Sequence, residues 1–294
     1  MRLLNILKCL YRLPEHRETI KDINERLERH VEATEERLHS LNLLEARIEA
    51  LRNKFGDFAT ERDFPDEYYV DLEDLFRGSS EEIEARLKTY LPVIESNDRL
   101  PKDKPAIDLG CGRGEWLDLL SRHSFETIGV DLNARFIDEC ASRGHSMHKG
   151  DALEYLVSLD AESIGIVSAF HLIEHLPNRV LVDLIRQAYR VLAPGGMLLL
   201  ESPNPQNITV SSDTFYLDPT HTVPRHPHIM HFLAKRCGFS SVEILELTEH
   251  RMDPVTPFDA LEAHLEDEGA KQAMVFLREK FFAAPDYAIV AVKS

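Results

Sequence analysis

From residue 105 to the end of the chain, short apolar runs alternate with longer mixed stretches. The apolar runs cover residues 106–109, 127–131, 164–170, 192–200 and 286–292. Short runs of this kind are typical of buried strands, and the stretches between them are long enough to form helices. Because strands that alternate with helices build parallel sheets, we predict an α/β domain over residues 105–294.

The region before residue 57 follows a different pattern. No proline or glycine occurs between Pro14 and Gly56, and apolar or small residues recur there in steps of three and four, from Ile20 to Phe55. This heptad-like spacing predicts a long helix over residues 15–56, which forms a coiled-coil stalk and joins the protein into a homo-oligomer. The alternative is a single amphipathic helix that packs along the α/β domain.

Two shorter segments flank the stalk. Residues 1–14 combine apolar positions with Arg2, Lys8 and Arg12, which is typical either of a basic amphipathic helix on an anionic membrane or of a helix that docks on protein. Residues 57–104 are predicted to be a helical linker or lid. Within them, Ser79 and Glu82 have the spacing of a capping box, which predicts a helix from there to about Tyr90.

Composition narrows the range of functions. The net charge of −17 argues against a large nucleic-acid footprint, which needs clustered Lys and Arg. The four cysteines form no CxxC pair, so neither a disulfide framework nor a zinc site is expected. The sequence contains no run of 18 apolar residues, and we expect a cytoplasmic protein that is at most peripheral at the inner face of the membrane.

Residues 106–115 carry the strongest functional signal, because an apolar run leads directly into a glycine-rich turn. Gly110, Gly112 and Gly114 form a GxGxG pattern that lets backbone N–H groups approach a ligand at the start of the next helix. The spacing differs from that of dinucleotide and P-loop motifs. Asp108 suits a ligand amino group and would repel a phosphate, and Asp131 ends the next run at a spacing typical of ribose binding.

Four motifs have the order and spacing found in class I S-adenosylmethionine-dependent methyltransferases, and the chain resembles that family. They are DLGCGRG from Asp108, the acidic Asp131, the triplet GDA at 150–152 and LAPGG at 192–196. The resemblance implies a Rossmann-like, seven-stranded, mostly parallel sheet with an antiparallel last strand, and S-adenosyl-L-methionine as the cofactor. It assigns Asp108 and the three glycines to the methionine end, Asp131 to the ribose hydroxyls and Asp151 to the adenine amino group.

Candidate residues for the methyl acceptor follow the fourth and fifth strands. His171 opens the motif HLIEH at the end of the fourth strand, whereas His221 and Arg225 lie in an insertion after the fifth. A hydroxyl acceptor needs a base such as histidine, and an anionic acceptor needs cationic partners. We therefore predict that His171 faces the acceptor, that His221 is the base and that Arg225 clamps an anion.

The insertion also resembles a bacterial methyltransferase subgroup encoded with O-antigen and other surface-polysaccharide genes. The shared elements are PNPQN at 203–207 and FYLDPTH at 215–221. The resemblance implies an O-methyltransferase that acts on a sugar or polysaccharide. It leaves open whether the methyl caps the polysaccharide chain and whether the protein contacts a glycosyltransferase.

Three other functions are compatible with the sequence. The leading prediction includes no metal, yet His171, Glu174, His175 and His221 resemble the divalent-metal cluster of small-RNA 2′-O-methyltransferases, with His171 in place of a glutamate. A methyltransferase for small metabolites would explain the α/β domain and leave the stalk without a role. A scaffold that binds cofactor without turnover is disfavoured by the intact glycine motif and Asp131.

Overall fold

The sheet of the α/β domain has seven strands, ordered β3-β2-β1-β4-β5-β7-β6. The computed structural model describes residues 78–247 and 264–294 except 282, together with isolated positions between residues 21 and 75. The strands are β1 (Ala106–Leu109), β2 (Thr127–Asp131), β3 (Ser146–Lys149), β4 (Ile164–Phe170), β5 (Leu192–Pro203), β6 (Ser241–Leu247) and β7 (Asp286–Val292). Only β7 runs antiparallel to its neighbours β5 and β6, which confirms the predicted Rossmann-like, mostly parallel sheet.

Helices connect the strands. They are α1 (Ser80–Leu87), α2 (Leu91–Glu95), α3 (Glu115–Arg122), α4 (Ala134–Ser142), α5 (Ala152–Ser158), α6 (Asn178–Val191), α7 (Ile208–Ser212), α8 (Pro227–Cys237) and α9 (Glu268–Phe281). Single 3-10 turns occur at Lys88–Tyr90, Ile173–His175 and Thr214–Leu217. Helix α6 shows why these stretches are helical, because its buried residues Leu181, Leu184, Ile185 and Ala188 recur at the spacing of one helix face.

The core has two parts, because alternate residues of each strand point to opposite faces of the sheet. Ile107 of β1 and Leu198 of β5 belong to one buried cluster. Ala106 and Met197, each one position earlier on the same strand, belong to the other cluster. Both faces are covered, and β1, β4 and β5 are therefore apolar along nearly their whole length, as in other parallel sheets.

The segment upstream of residue 105 is part of this core. The capping box is confirmed, since the Ser79 side chain accepts the Glu82 N–H and the Glu82 side chain accepts the Ser79 N–H. Beyond it, Leu87, Tyr90 and Ile94 are buried in the second cluster. The domain predicted to begin at residue 105 thus incorporates the end of the segment predicted as a linker.

The predicted segment 1–14 lies outside the described residues, and the predicted stalk over 15–56 lies outside them except for isolated positions. The coiled coil, the oligomer and the membrane contact therefore stay predictions. Among the helices that the structure describes, none is both long and apolar enough to cross a membrane.

Candidate active site

The glycine-rich turn joins β1 to α3 and has the backbone that the sequence predicts. Gly110, Gly112 and Gly114 all have positive φ, at 68°, 50° and 79°. Gly114 caps α3, and a Cβ atom there would lie 2.6 Å from the Sγ atom of Cys140. Glycine is required at this position both by the left-handed backbone and by the close approach of α4.

Asp131 fixes the turn from the neighbouring strand. It is 7% exposed at the end of β2, where its Oδ2 atom accepts the Gly112 N–H at 3.0 Å and its Oδ1 atom accepts the Asn133 N–H at 2.7 Å. A carboxylate oxygen has more than one lone pair, so each can also accept a bond from a ligand hydroxyl. Asp131 therefore lies where the prediction of ribose binding requires a carboxylate.

Asp108 and Asp151 have more local partners. The Oδ1 atom of the buried Asp108 accepts the Ser168 hydroxyl from β4 at 2.7 Å. Asp151 caps α5, where its Oδ1 atom accepts the N–H groups of Leu153 and Glu154. Contact between Asp151 and an adenine amino group stays a prediction, and it would fall to the Oδ2 atom.

The end of β4 lies beside the glycine-rich turn. Strands β1 and β4 are parallel neighbours, so their carboxyl ends meet at one edge of the sheet. A Cβ atom on Gly110 would lie only 3.2 Å from the side chain of Leu172, the residue after His171. The predicted cofactor turn and the predicted acceptor residues are therefore neighbours, at the edge where open α/β sheets bind ligands.

His171 holds three acidic side chains together at this edge. Its Nε2 atom lies 3.0 Å from Glu201 Oε1 and 3.9 Å from Asp286 Oδ1, and its Nδ1 atom lies 3.3 Å from Glu174 Oε1. Its φ of 54° is a left-handed conformation that is rare for residues other than glycine. Contacts at both ring nitrogens, and a backbone bond to the Glu201 carbonyl, stabilise this conformation.

The charges of this group stabilise each other. Burial alone would lower the pKa of His171, but the carboxylates of Glu174, Glu201 and Asp286 outweigh it and raise the pKa to about 9. Burial alone would raise the pKa of Glu174, but His171 and two further histidines lower it to about 2. At neutral pH His171 is therefore a cation, which makes it an anchor for carboxylates and a poor base.

We expect the stability of the domain to fall as the pH rises through the pKa of His171. That pKa is about 9 in the folded protein against an ordinary value of 6.5. Protonation therefore contributes stability that is fully present below pH 6.5 and is lost by about pH 9, and the shift corresponds to about 3 kcal/mol of unfolding free energy. Guanidinium unfolding at several pH values across this window measures the loss.

The variant His171→Asn is the control for this measurement, because asparagine tolerates left-handed backbone and does not titrate. The wild-type protein should lose about 3 kcal/mol more than the variant across the window. Equal losses in the two proteins would show that His171 is not the titrating group.

His221 and His175 lie on the other side of Glu174. The Nδ1 atom of His221 lies 2.6 Å from the Phe215 carbonyl oxygen, which can only accept, so Nδ1 carries the proton. The Nε2 atom therefore carries the lone pair in the neutral form of the ring, and it lies 3.8 Å from Glu174 Oε1 and 3.8 Å from Asp218 Oδ2. The centroids of the His175 and His221 imidazole rings lie 4.7 Å apart.

Hydrogen bonds through Thr220 to Asp218 determine which ring nitrogen of His175 carries the proton. The Thr220 hydroxyl donates to Asp218 Oδ1 at 2.6 Å, so its oxygen accepts from His175 Nδ1 at 2.9 Å. Burial lowers the pKa of His175, which favours the neutral ring. In their neutral forms both histidines therefore have the proton on Nδ1 and the lone pair on Nε2, beside the buried Glu174.

Arg225 is not arranged as an anion clamp. Its side chain is buried, and its guanidinium donates to the carbonyls of Ile173 and Leu176 and to the Asn178 side chain. These three acceptors lie around the turn that carries Glu174 and His175. Arg225 therefore holds that turn in place, and it does not have the predicted role of an anion clamp.

Two asparagines of the PNPQN element are also structural. The Asn204 side chain donates to the Ala284 carbonyl and accepts the Gln206 N–H. The Asn207 side chain donates to the Ala283 carbonyl and accepts the Val210 N–H. The element anchors the start of the insertion to the segment before β7.

Sequence reasoning missed Glu201 and Asp286, although a signal was present. Glu201 lies within the apolar run of β5, and Asp286 begins β7. A lone carboxylate at the end of an apolar strand was the feature that identified Asp131. Applied to every strand, the same rule would have found Glu201. Asp286 stands at the start of β7, so it reaches this edge only because β7 runs antiparallel to β5.

Comparison with known protein families agrees with this geometry. A family model described as "Methyltransferase domain" matches residues 79–239. A curated "Probable S-adenosylmethionine-dependent methyltransferase" of Mycolicibacterium smegmatis is 27% identical over 144 residues, which are 48% of this chain and 54% of that protein. A "Ubiquinone biosynthesis O-methyltransferase" of Coxiella burnetii is 28% identical over 120 residues, which are 39% of this chain and 49% of that protein. The chain thus spans about half the length of these curated relatives.

Solved structures extend the comparison to most of the chain. A "SAM dependent methyltransferase" from Archaeoglobus fulgidus is 34% identical and superposes with a TM-score of 0.64, covering 77% of this chain and all of that one. A putative methyltransferase of Haloferax volcanii, in complex with the Trm112 activator, is 17% identical with a TM-score of 0.51, over 72% of this chain and 95% of that one. The second likeness concerns the fold alone.

Proposed function

The chain belongs to the S-adenosylmethionine-dependent methyltransferases, and we propose that it transfers the cofactor methyl to a hydroxyl oxygen of a sugar or polysaccharide. The observation that carries the proposal is the orientation of the His221 ring. Its Nδ1–H is bound to the Phe215 carbonyl, so its Nε2 faces Glu174 and carries the lone pair whenever the ring is neutral. An unprotonated histidine at that position is the group that a hydroxyl acceptor needs and that an anionic acceptor does not.

The proposed reaction is an in-line displacement. The acceptor oxygen forms a bond to the methyl carbon as the bond from that carbon to the sulfonium sulfur breaks, and the hydroxyl proton passes to His221 Nε2. The cofactor supplies an activated methyl group, so most of the work of the protein is positioning. Asp131 and the turn would hold the cofactor, and Glu174 would stabilise the imidazolium that forms on His221.

Two further features support this choice of acceptor. Several curated relatives are O-methyltransferases by name, which favours an oxygen acceptor. The sugar assignment rests on the resemblance of the FYLDPTH element to the polysaccharide subgroup. Within that element Tyr216 is 65% exposed and is therefore available to a sugar ring.

The assembly of the protein is a separate proposal. We propose that residues 15–56 form the coiled coil that joins the protein into a homo-oligomer, and that residues 1–14 bring it to the inner membrane face or to a glycosyltransferase. The support is the heptad-like spacing and the basic amphipathic pattern. Light scattering of the full chain tests the oligomer, and a monomer would overturn it.

The acceptor class can be tested with matched glycans. The full chain is incubated with S-adenosylmethionine and a lipid-linked glycan, and the product is analysed by mass spectrometry and NMR. The control is the same glycan with the terminal hydroxyl already methylated. Transfer to the free glycan alone supports the proposal, whereas transfer only to phosphates, carboxylic acids or small metabolites would replace it.

A second candidate, metal-assisted O-methyl transfer, is favoured by one observation. The Oε1 atom of Glu174 is fully buried and, among the described residues, accepts no hydrogen bond of good geometry. This atom and a ring nitrogen from each of His175 and His221 lie within 4.8 Å of one another. The Nδ1 atom of His221 is bound to the Phe215 carbonyl and that of His175 to the Thr220 hydroxyl. Histidine ligands of metals are usually oriented by such a bond at the other ring nitrogen.

The ligand set differs from the one that the sequence suggests. Both ring nitrogens of His171 lie against carboxylates, so His171 would orient Glu174 and would not bind the ion. Two histidines and one carboxylate suit a divalent ion such as Mn²⁺, Co²⁺ or Zn²⁺. With an ion bound, His221 would be a ligand, and a coordinated acceptor hydroxyl would lose its proton to water.

Metal removal separates the two candidates. If the ion is required, dialysis against a chelator should reduce turnover at least tenfold, and Mn²⁺ or Co²⁺ should restore it. Co²⁺ should also give visible absorption bands that are lost in His175→Ala and kept in the exposed control His228→Ala. Turnover that is indifferent to the chelator, with no Co²⁺ spectrum, leaves His221 as the base.

A further inference from the structure

Tyr90 connects the upstream helices to the acceptor side of the site. It ends the 3-10 turn Lys88–Tyr90, and its side chain is completely buried. Its ring packs on Phe170 at 5.4 Å and on Trp116 at 6.0 Å between centroids. This aromatic packing fixes the direction of the hydroxyl, which donates to Glu201 Oε2.

From Tyr90 a chain of buried polar contacts leads to the proposed base. Glu201 accepts Tyr90 with one oxygen and lies 3.0 Å from His171 Nε2 with the other. His171 Nδ1 lies 3.3 Å from Glu174 Oε1, and that same oxygen lies 3.8 Å from His221 Nε2. The first two of these contacts are hydrogen bonds, and the last two are close contacts between charged groups.

We propose that Tyr90 is a positioning residue for methyl transfer, acting through Glu201 and His171 to orient Glu174. The proposal rests on the proposed function. Without the Tyr90 hydroxyl, Glu201 loses one donor inside the core and keeps its contact with His171. The His171 ring then shifts with Glu201, and its contact with Glu174 Oε1 changes, while the Ser202 hydroxyl still holds Glu174 Oε2.

The same upstream segment also holds the cofactor side of the site. The Gly78 carbonyl accepts a bond from Arg113 at 3.0 Å, and the Ser80 hydroxyl donates to Glu115 at 3.1 Å. Arg113 and Glu115 flank Gly114 in the glycine-rich turn. Residues 78–90 therefore contact both halves of the site, which explains why a residue so far from β4 in sequence can set its geometry.

The test is a double-mutant cycle on the full chain. We expect Tyr90→Phe to lower kcat about tenfold with an unchanged Kd for S-adenosylmethionine. Glu201→Gln should lower kcat at least as much, and the double variant should be no slower than Glu201→Gln alone, because Tyr90 acts through Glu201. Tyr189→Phe is the control: this tyrosine lies in α6, its ring packs edge to face on Phe239, and its hydroxyl makes no hydrogen bond among the described residues.

A second readout needs no acceptor. The ring N–H protons of His171 should exchange slowly by NMR in the wild-type protein and in Tyr189→Phe, and faster in Tyr90→Phe. Additive losses in kcat, equal losses in both tyrosine variants, or unchanged exchange would each overturn the proposal. A wild-type protein that turns over no acceptor but shows the exchange difference would instead contradict the proposed function.

Discussion

Replacing Asp131 with alanine is expected to weaken S-adenosylmethionine binding at least a hundredfold. The carboxylate accepts the Gly112 N–H and the Asn133 N–H, and its contact with the ribose hydroxyls is the prediction under test. Removing it leaves the turn without its main support and the ribose without charged acceptors. Hydrogen bonds to a charged group contribute about 1.5–3 kcal/mol each, so two of them account for two or more powers of ten. Isothermal titration calorimetry measures the change.

The control for Asp131 is Asp138→Ala, which removes an exposed carboxylate from α4, the helix that follows. This variant should bind the cofactor like the wild-type protein. If Asp131→Ala folds normally and binds S-adenosylmethionine within threefold of wild type, the cofactor is not held at the end of β2, and the assignment of this edge as the cofactor site is wrong.

His221→Ala is expected to reduce kcat by about 10²–10⁴-fold, the usual contribution of a general base, while the Kd for S-adenosylmethionine stays unchanged. The reason is specific to this ring. The Nδ1–H donates to the Phe215 carbonyl, so only Nε2 can take the proton of the substrate hydroxyl, and Glu174 Oε1 lies 3.8 Å from Nε2 to stabilise the resulting charge. Single-turnover kinetics with saturating cofactor measure the chemical step directly.

The exposed His228 provides the comparison, because His228→Ala removes an imidazole from α8 and should not change kcat. An active His221→Ala variant would remove this residue from the chemistry. In that event the acceptor is one that needs no proton acceptor, such as a phosphate or a carboxylate. Loss of cofactor binding together with kcat would indicate that His221 has a structural role.

Five of the seven strands were predictable because each is a local apolar run of the sequence, whereas β3 and β6 followed only from the family resemblance. The runs at β1, β4 and β5 are buried along nearly their whole length and are therefore mostly apolar. The turn at Gly110 to Gly114 was predictable for a similar reason, since its backbone and its contact with Cys140 require glycine. The packing of Tyr90 against Trp116 was not predictable, because these residues are distant in sequence.

The polar part of the site was predicted less completely, because the partner of a side chain is not a local property. Arg225 carries the charge of an anion clamp, yet three acceptors around the Glu174 turn take its guanidinium. Nothing in the residues near His171 shows that it is cationic. That follows only when β4, β5 and β7 bring Glu201 and Asp286 to the same edge of the sheet.

The most direct test of the proposed function is to measure S-adenosylhomocysteine formation by the full chain. Mass spectrometry detects the product for each member of a panel of lipid-linked glycans, nucleosides and small acids. We expect turnover with a glycan hydroxyl, one methyl added for each S-adenosylhomocysteine released, and no product from Asp131→Ala. Tight binding of S-adenosylmethionine without turnover on any of these acceptors would contradict it and would favour a protein that binds the cofactor as a scaffold.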